Sequence, residues 1–119
     1  MRHRMFCIAL SVLAAGMVFG QWTAHAASAE KGKAAFMKYG CWQCHGTQGQ
    51  GSVATSGGRV LAPDPLPYDH FSALVRSSKN GMPPYSATIL PNDDLADIYA
   101  YLSSIPKSKD HMTIPLLSQ

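Results

Sequence analysis

The apolar and polar positions divide the chain into segments of different character. Phe6 to Gly20 is an apolar run of about 15 residues, interrupted only by Ser11, short of the ~20 that cross a bilayer core. It follows the basic start Met1-Arg2-His3-Arg4 and precedes Ala24-His25-Ala26, a small-x-small triplet. That order predicts a secretory leader over residues 1–26, cleaved after Ala26, and a single domain over 27–119. Ser28 to Tyr39 then reads as a helix, with Ser28 as its cap, Glu30 in its first turn and Gly40 at its end. From Gly46 to Pro67 the chain is rich in Gly, Ser, Thr and finally Pro, the composition of a loop. Phe71, Leu74 and Val75 recur at helical spacing and predict a second helix from Tyr68 to Lys79. Asn80-Gly81 marks a turn, and Met82-Pro83-Pro84-Tyr85 is extended because a following proline restricts Met82. The clearest helix opens at Asn92 as N-cap, carries Asp93 and Asp94 in its first turn and stops at Pro106. Leu95, Ile98, Tyr99, Leu102 and Ile105 form its apolar stripe. No strand-like alternation appears, so the expected domain is all-α.

Charge narrows the partners. The whole chain carries +3 at pH 7, and removal of Arg2 and Arg4 with the leader leaves +1. That is no basic field for nucleic acid. A domain this small buries a modest core and commonly needs a staple. Cys7 leaves with the leader, so the remaining cysteines are Cys41 and Cys44, and a bridge across so short a loop constrains little chain.

"CWQCHG", residues 41–46, decides among the candidate staples. Structural zinc needs four ligands, usually with a second pair at similar spacing, and the domain has no further cysteine. A redox dithiol opens a helix that follows a strand, whereas here a helix comes before the pair. A plain disulfide leaves His45 without a role. C-x-x-C-H is the attachment signature of covalent haem: two thiols add to two vinyl groups, and the following imidazole lies beneath the iron. Cys41 and Cys44 are therefore the expected anchors of one haem c, and His45 its proximal ligand. This attachment takes place outside the bacterial cytoplasm, in keeping with an exported, periplasmic protein.

With these motifs the chain resembles the class I c-type cytochromes over nearly the whole domain: "GKAAF", then "CWQCHG", "MPPY" and "DLADIYAYL" in order. The resemblance implies a small cytochrome fold of three main helices wrapped round one haem. It also implies a close crossing of the first and last helices, with Gly32 and Phe36 against Ile98 and Tyr101. The family's distal loop corresponds to "MPPY", which makes Met82 the expected second axial ligand, with His70 the alternative. A methionine sulfur filling the sixth position suits electron transfer, whereas an open position suits gases or peroxide. The family commonly has a proline after the motif whose carbonyl accepts the proximal imidazole's N–H. Gly58, just before Arg59, stands near that place here, leaving Pro63 or another backbone carbonyl to accept. Leu61, Leu66, Phe71 and Val75 are expected pocket walls, and Trp42, Arg59, Tyr68, Arg76 and Tyr85 are candidate donors to the haem's acid groups.

The resemblance implies a one-electron carrier rather than an enzyme, with exported redox partners: a dehydrogenase as donor and a cytochrome or oxidase as acceptor. The stretch from "MPPY" to "DDLADIYAYLSSIP" is also similar to the cytochrome subunits of flavin-dependent phenol-oxidising dehydrogenases. The alternative is a ligand-binding or peroxidase-like haem protein with the sixth position open.

Overall fold

A computed structural model of the chain describes residues 25–52, 58–77, 81–110 and 113–116. Residues 1–24 of the expected leader (1–26), with His111 and Met112, lie outside the described residues. Four helices follow in order: α1 Ala29–Lys38, α2 Trp42–His45, α3 Tyr68–Ser77 and α4 Asn92–Ser104. Among the described residues the only extended pairing is a single bridge between Ser52 and Gly58. None of the helices there is long and apolar enough to cross a membrane.

Helix α1 begins as its sequence predicts, with the Ser28 hydroxyl accepting from the Lys31 amide at 3.3 Å. It ends at Tyr39, after which Gly40 takes φ 76°, the left-handed conformation glycine adopts freely at a helix terminus. Helix α4 starts differently from expectation. Pro91 is its N-cap residue and Asn92 makes no capping hydrogen bond. The Asn92 amide oxygen instead accepts from Arg76 Nη2 at 2.7 Å. Ile105 closes the helix just before Pro106.

Helices α1 and α4 pack against each other at backbone range. A Cβ placed on Gly32 would fall 1.8 Å from the Asp97 carbonyl oxygen and 2.8 Å from Tyr101 Cβ, so only glycine permits the approach. One turn on, Phe36 meets Tyr101 with ring centroids 5.7 Å apart. This is the crossing anticipated from Gly32, Phe36, Ile98 and Tyr101. Phe36 and Leu102 are fully buried, and Leu90, Leu95 and Ile98 nearly so. Each such side chain contributes about 1.5–3 kcal/mol by leaving water.

Asp97 is the one buried charged residue among the described residues, 2% exposed. It accepts from the Ser28 amide at 2.6 Å and pairs with His25 Nε2 at 2.8 Å. Burial alone would raise its pKa, but the Ser28 and His25 bonds, with His25 and Lys31 charge, outweigh burial and hold it below the usual carboxylate value. A second tie joins the same helices, where the Tyr39 hydroxyl donates to Asp94.

Candidate functional site

The motif itself forms α2, one turn that sequence periodicity did not predict. Its backbone closes with His45 N to Cys41 O at 3.1 Å and Gly46 N to Trp42 O at 2.9 Å. Positions three and four apart share a helix face, so Cys41, Cys44 and His45 turn the same way. They line a cavity of about 700 Å³ together with Met82. The two cysteines do not form a disulfide with each other. Burial pushes the Cys41 thiol up to about 11, against a smaller lowering by a backbone hydrogen bond.

The segment after the motif passes directly behind it. A Cβ on Gly58 would lie 1.6 Å from the Cys44 carbonyl oxygen, so this position demands glycine. The next residue supplies the acceptor left open by the sequence: the Arg59 carbonyl lies 2.8 Å from His45 Nδ1. A carbonyl can only accept, so Nδ1 carries the proton, and in the neutral imidazole Nε2 keeps its lone pair. Neither Pro63 nor any proline of this loop is needed. Gly51 N donates to His45 O at 2.8 Å, and Tyr101 OH to Thr47 O at 2.9 Å, fixing the start of the loop to the motif and to α4.

Leu61, Leu66, Phe71 and Val75, the expected walls, all line the cavity, as do the core residues Phe36, Leu90, Leu95, Ile98 and Leu102. Of the five candidate donors to acid groups, Arg59 and Tyr85 line it, and Trp42, Tyr68 and Arg76 do not. Tyr68 packs edge-on against Tyr99 at 5.2 Å. The Tyr85 hydroxyl is committed to the Tyr39 carbonyl at 2.9 Å. Burial keeps its pKa above the ordinary tyrosine value. Arg76 donates to the Tyr85 and Leu90 carbonyls at 2.9 and 2.7 Å, a role the sequence reading missed. His70 is exposed and Met37 is 40% exposed, and neither lines the cavity. Among the described residues no three His, Cys, Asp or Glu side chains converge as a metal-binding cluster.

The family model described as "Cytochrome C oxidase, cbb3-type, subunit III" matches residues 27–102. The chain belongs to this cytochrome c family. Cytochrome c-555 of Methylococcus capsulatus is 30% identical over 121 aligned positions, covering 97% of this chain and 94% of that protein. No solved structure matches. The protein is thus a small all-α c-type cytochrome, an electron-transfer protein rather than an enzyme, with covalently bound haem c. The residues present fit such a group. Native interiors pack as densely as organic crystals, yet here the core side chains of α1, α3 and α4 form the wall of a large cavity instead of closing on one another. Two cysteine sulfurs, an imidazole with an available nitrogen and a thioether sulfur border the same space.

Proposed function

We propose that this cytochrome carries single electrons in the periplasm, passing them from an exported dehydrogenase to the respiratory chain, with one haem held by Cys41 and Cys44 and ligated by His45 and Met82. The carrying observation is that these four residues border one apolar cavity while the His45 Nδ1 proton is already committed to the Arg59 carbonyl. That commitment fixes the tautomer and leaves Nε2 to coordinate.

Cys41 and Cys44 would hold the haem by thioether links, each exchanging its S–H bond for an S–C bond while the hydrogen goes to the neighbouring vinyl carbon. No oxidant is consumed. The haem iron, when bound, supplies the one-electron redox change. The protein's part is to hold both axial groups in place so that little rearranges between oxidation states. The soft Met82 sulfur would favour the ferrous form, and the apolar lining would disfavour the extra charge of the ferric form. Arg59, exposed at the cavity edge, is placed to meet an acid group.

On this reading the chain is exported and its leader removed. Cleavage after Ala26 removes His25 and leaves Asp97 the Ser28 amide, so the joint between α1 and α4 keeps its backbone bond in the processed chain.

The test is the spectrum of the oxidised holoprotein. A weak far-red sulfur-to-iron charge-transfer band is expected, and Met82→Ala abolishes it and admits carbon monoxide to the reduced form. Persistence of the band in that variant refutes the Met82 assignment. A colourless exported product with the mass of bare polypeptide refutes the whole reading.

A further inference from the structure

The segment that carries Met82 runs from Gly81 to Pro91, with no helix or strand of its own. A loop holding an axial ligand needs its backbone fixed from outside. Arg76, in the last turn of α3, does this from a single guanidinium. Its Nη1 donates to the Tyr85 carbonyl at 2.9 Å and the Leu90 carbonyl at 2.7 Å, and its Nη2 donates to the Asn92 side chain at 2.7 Å. One rigid fork thereby ties the middle of the loop, its end and the first residue of α4. Among the described residues the loop's other hydrogen bonds to the rest of the fold are those of Tyr85, its amide to the Val75 carbonyl at 3.0 Å and its hydroxyl to the Tyr39 carbonyl at 2.9 Å, and that of the Pro91 carbonyl, which accepts from the Leu95 amide at 3.0 Å as α4 begins. Within the loop, Ile89 and Leu90 donate back to Ser86 at 3.1 and 2.9 Å, which shapes a turn without anchoring it.

We infer that Arg76 is the positioning residue for the distal loop, keeping the Met82 sulfur over the iron against loop opening. The inference rests on the reading of Met82 as the axial ligand. Arg76 does not line the cavity, so it acts through the loop and not by contact with the haem. Charge-assisted bonds to neutral carbonyls are stronger than neutral ones, and the planar fork reaches acceptors that a lysine ammonium cannot serve together.

The experiment uses the holoprotein and imidazole as the probe, since external imidazole binds ferric iron only when the loop has opened. Apparent affinity then scales with the open fraction. Arg76→Ala is expected to raise imidazole affinity by about tenfold or more, to speed carbon monoxide binding to the reduced form and to weaken the far-red band. Arg76→Lys gives an intermediate rise. Asp97→Ala, which loosens the joint between α1 and α4 away from the loop, lowers the denaturation midpoint but leaves imidazole affinity unchanged. If Arg76→Ala yields no holoprotein, Arg76→Lys decides: an affinity equal to that of the parent protein overturns the inference. A parent protein that shows the band, with Arg76→Ala unchanged in imidazole affinity, overturns the inference alone. A parent protein without the band, unaltered by Met82→Ala, overturns the ligand assignment and the inference with it.

Discussion

The two sides of the cavity are built on different principles. On the His45 side, backbone meets backbone: α2 closes on itself, Gly58 lies against the Cys44 carbonyl, and the imidazole's partner is the Arg59 main chain. On the Met82 side, an irregular loop is held largely by side chains, the Arg76 guanidinium and the Tyr85 hydroxyl. A group fixed by main-chain atoms is insensitive to which side chain its neighbour carries but intolerant of added volume. A group fixed by side chains is lost one substitution at a time. On the proposed ligation, the first side suits a permanent ligand and the second a ligand whose hold can be tuned.

Substitutions can break this contrast, and the largest effect is expected where backbone approach is closest. Gly58→Ala sets a methyl group against the Cys44 carbonyl, and with main chain on both sides the cost is about 3 kcal/mol. Chemical denaturation of the holoprotein measures it, and a loss below about 1 kcal/mol would mean that the segment behind the motif yields after all.

Next is a reference outside both sides. Asp97→Ala deprives the Ser28 amide of a charged acceptor, at about 2 kcal/mol. The same carboxylate gives a pH signature in a chain that retains His25. Its folded pKa is depressed, so its contribution is complete above the unfolded carboxylate value of about 4 and is lost as pH falls through the folded value. The thermal midpoint should decline below about pH 4, and Asp97→Asn should flatten that part of the decline.

On the distal side, Tyr85→Phe removes the hydroxyl bond to the Tyr39 carbonyl, expected to cost about 1 kcal/mol and to raise imidazole affinity, because the loop loses a tie. The smallest effect sharpens the comparison most. Arg59→Gln alters the side chain but not the carbonyl that accepts from His45, so stability should stay within about 0.5 kcal/mol. The proximal imidazole's NMR signature should be unchanged even if the reduction potential moves.

What could be read in advance follows the same division. Periodicity and caps exposed the main helices because Leu95, Ile98 and Leu102 repeat at helical spacing and Ser28 is a good cap. The attachment motif was legible because its chemistry is local, confined to residues 41–45. The helical turn of the motif itself was not, since four residues are too few to show a period. Asn92 has the composition of a cap and a different job, because the competing donor, Arg76, lies 16 positions earlier. The Arg59 acceptor was hidden for a deeper reason. Every residue carries a carbonyl, so nothing in the side-chain alphabet marks the one that meets the imidazole.

The contact through Gly32 has a consequence for biogenesis. Helix α1 is among the first parts of the domain to be synthesised, yet its docking partner spans residues 92–104. During elongation the early helix waits, unsheltered, until almost the entire polypeptide has appeared. A chain truncated before Leu102 would leave Cys41 and Cys44 on a scaffold without its closing helix.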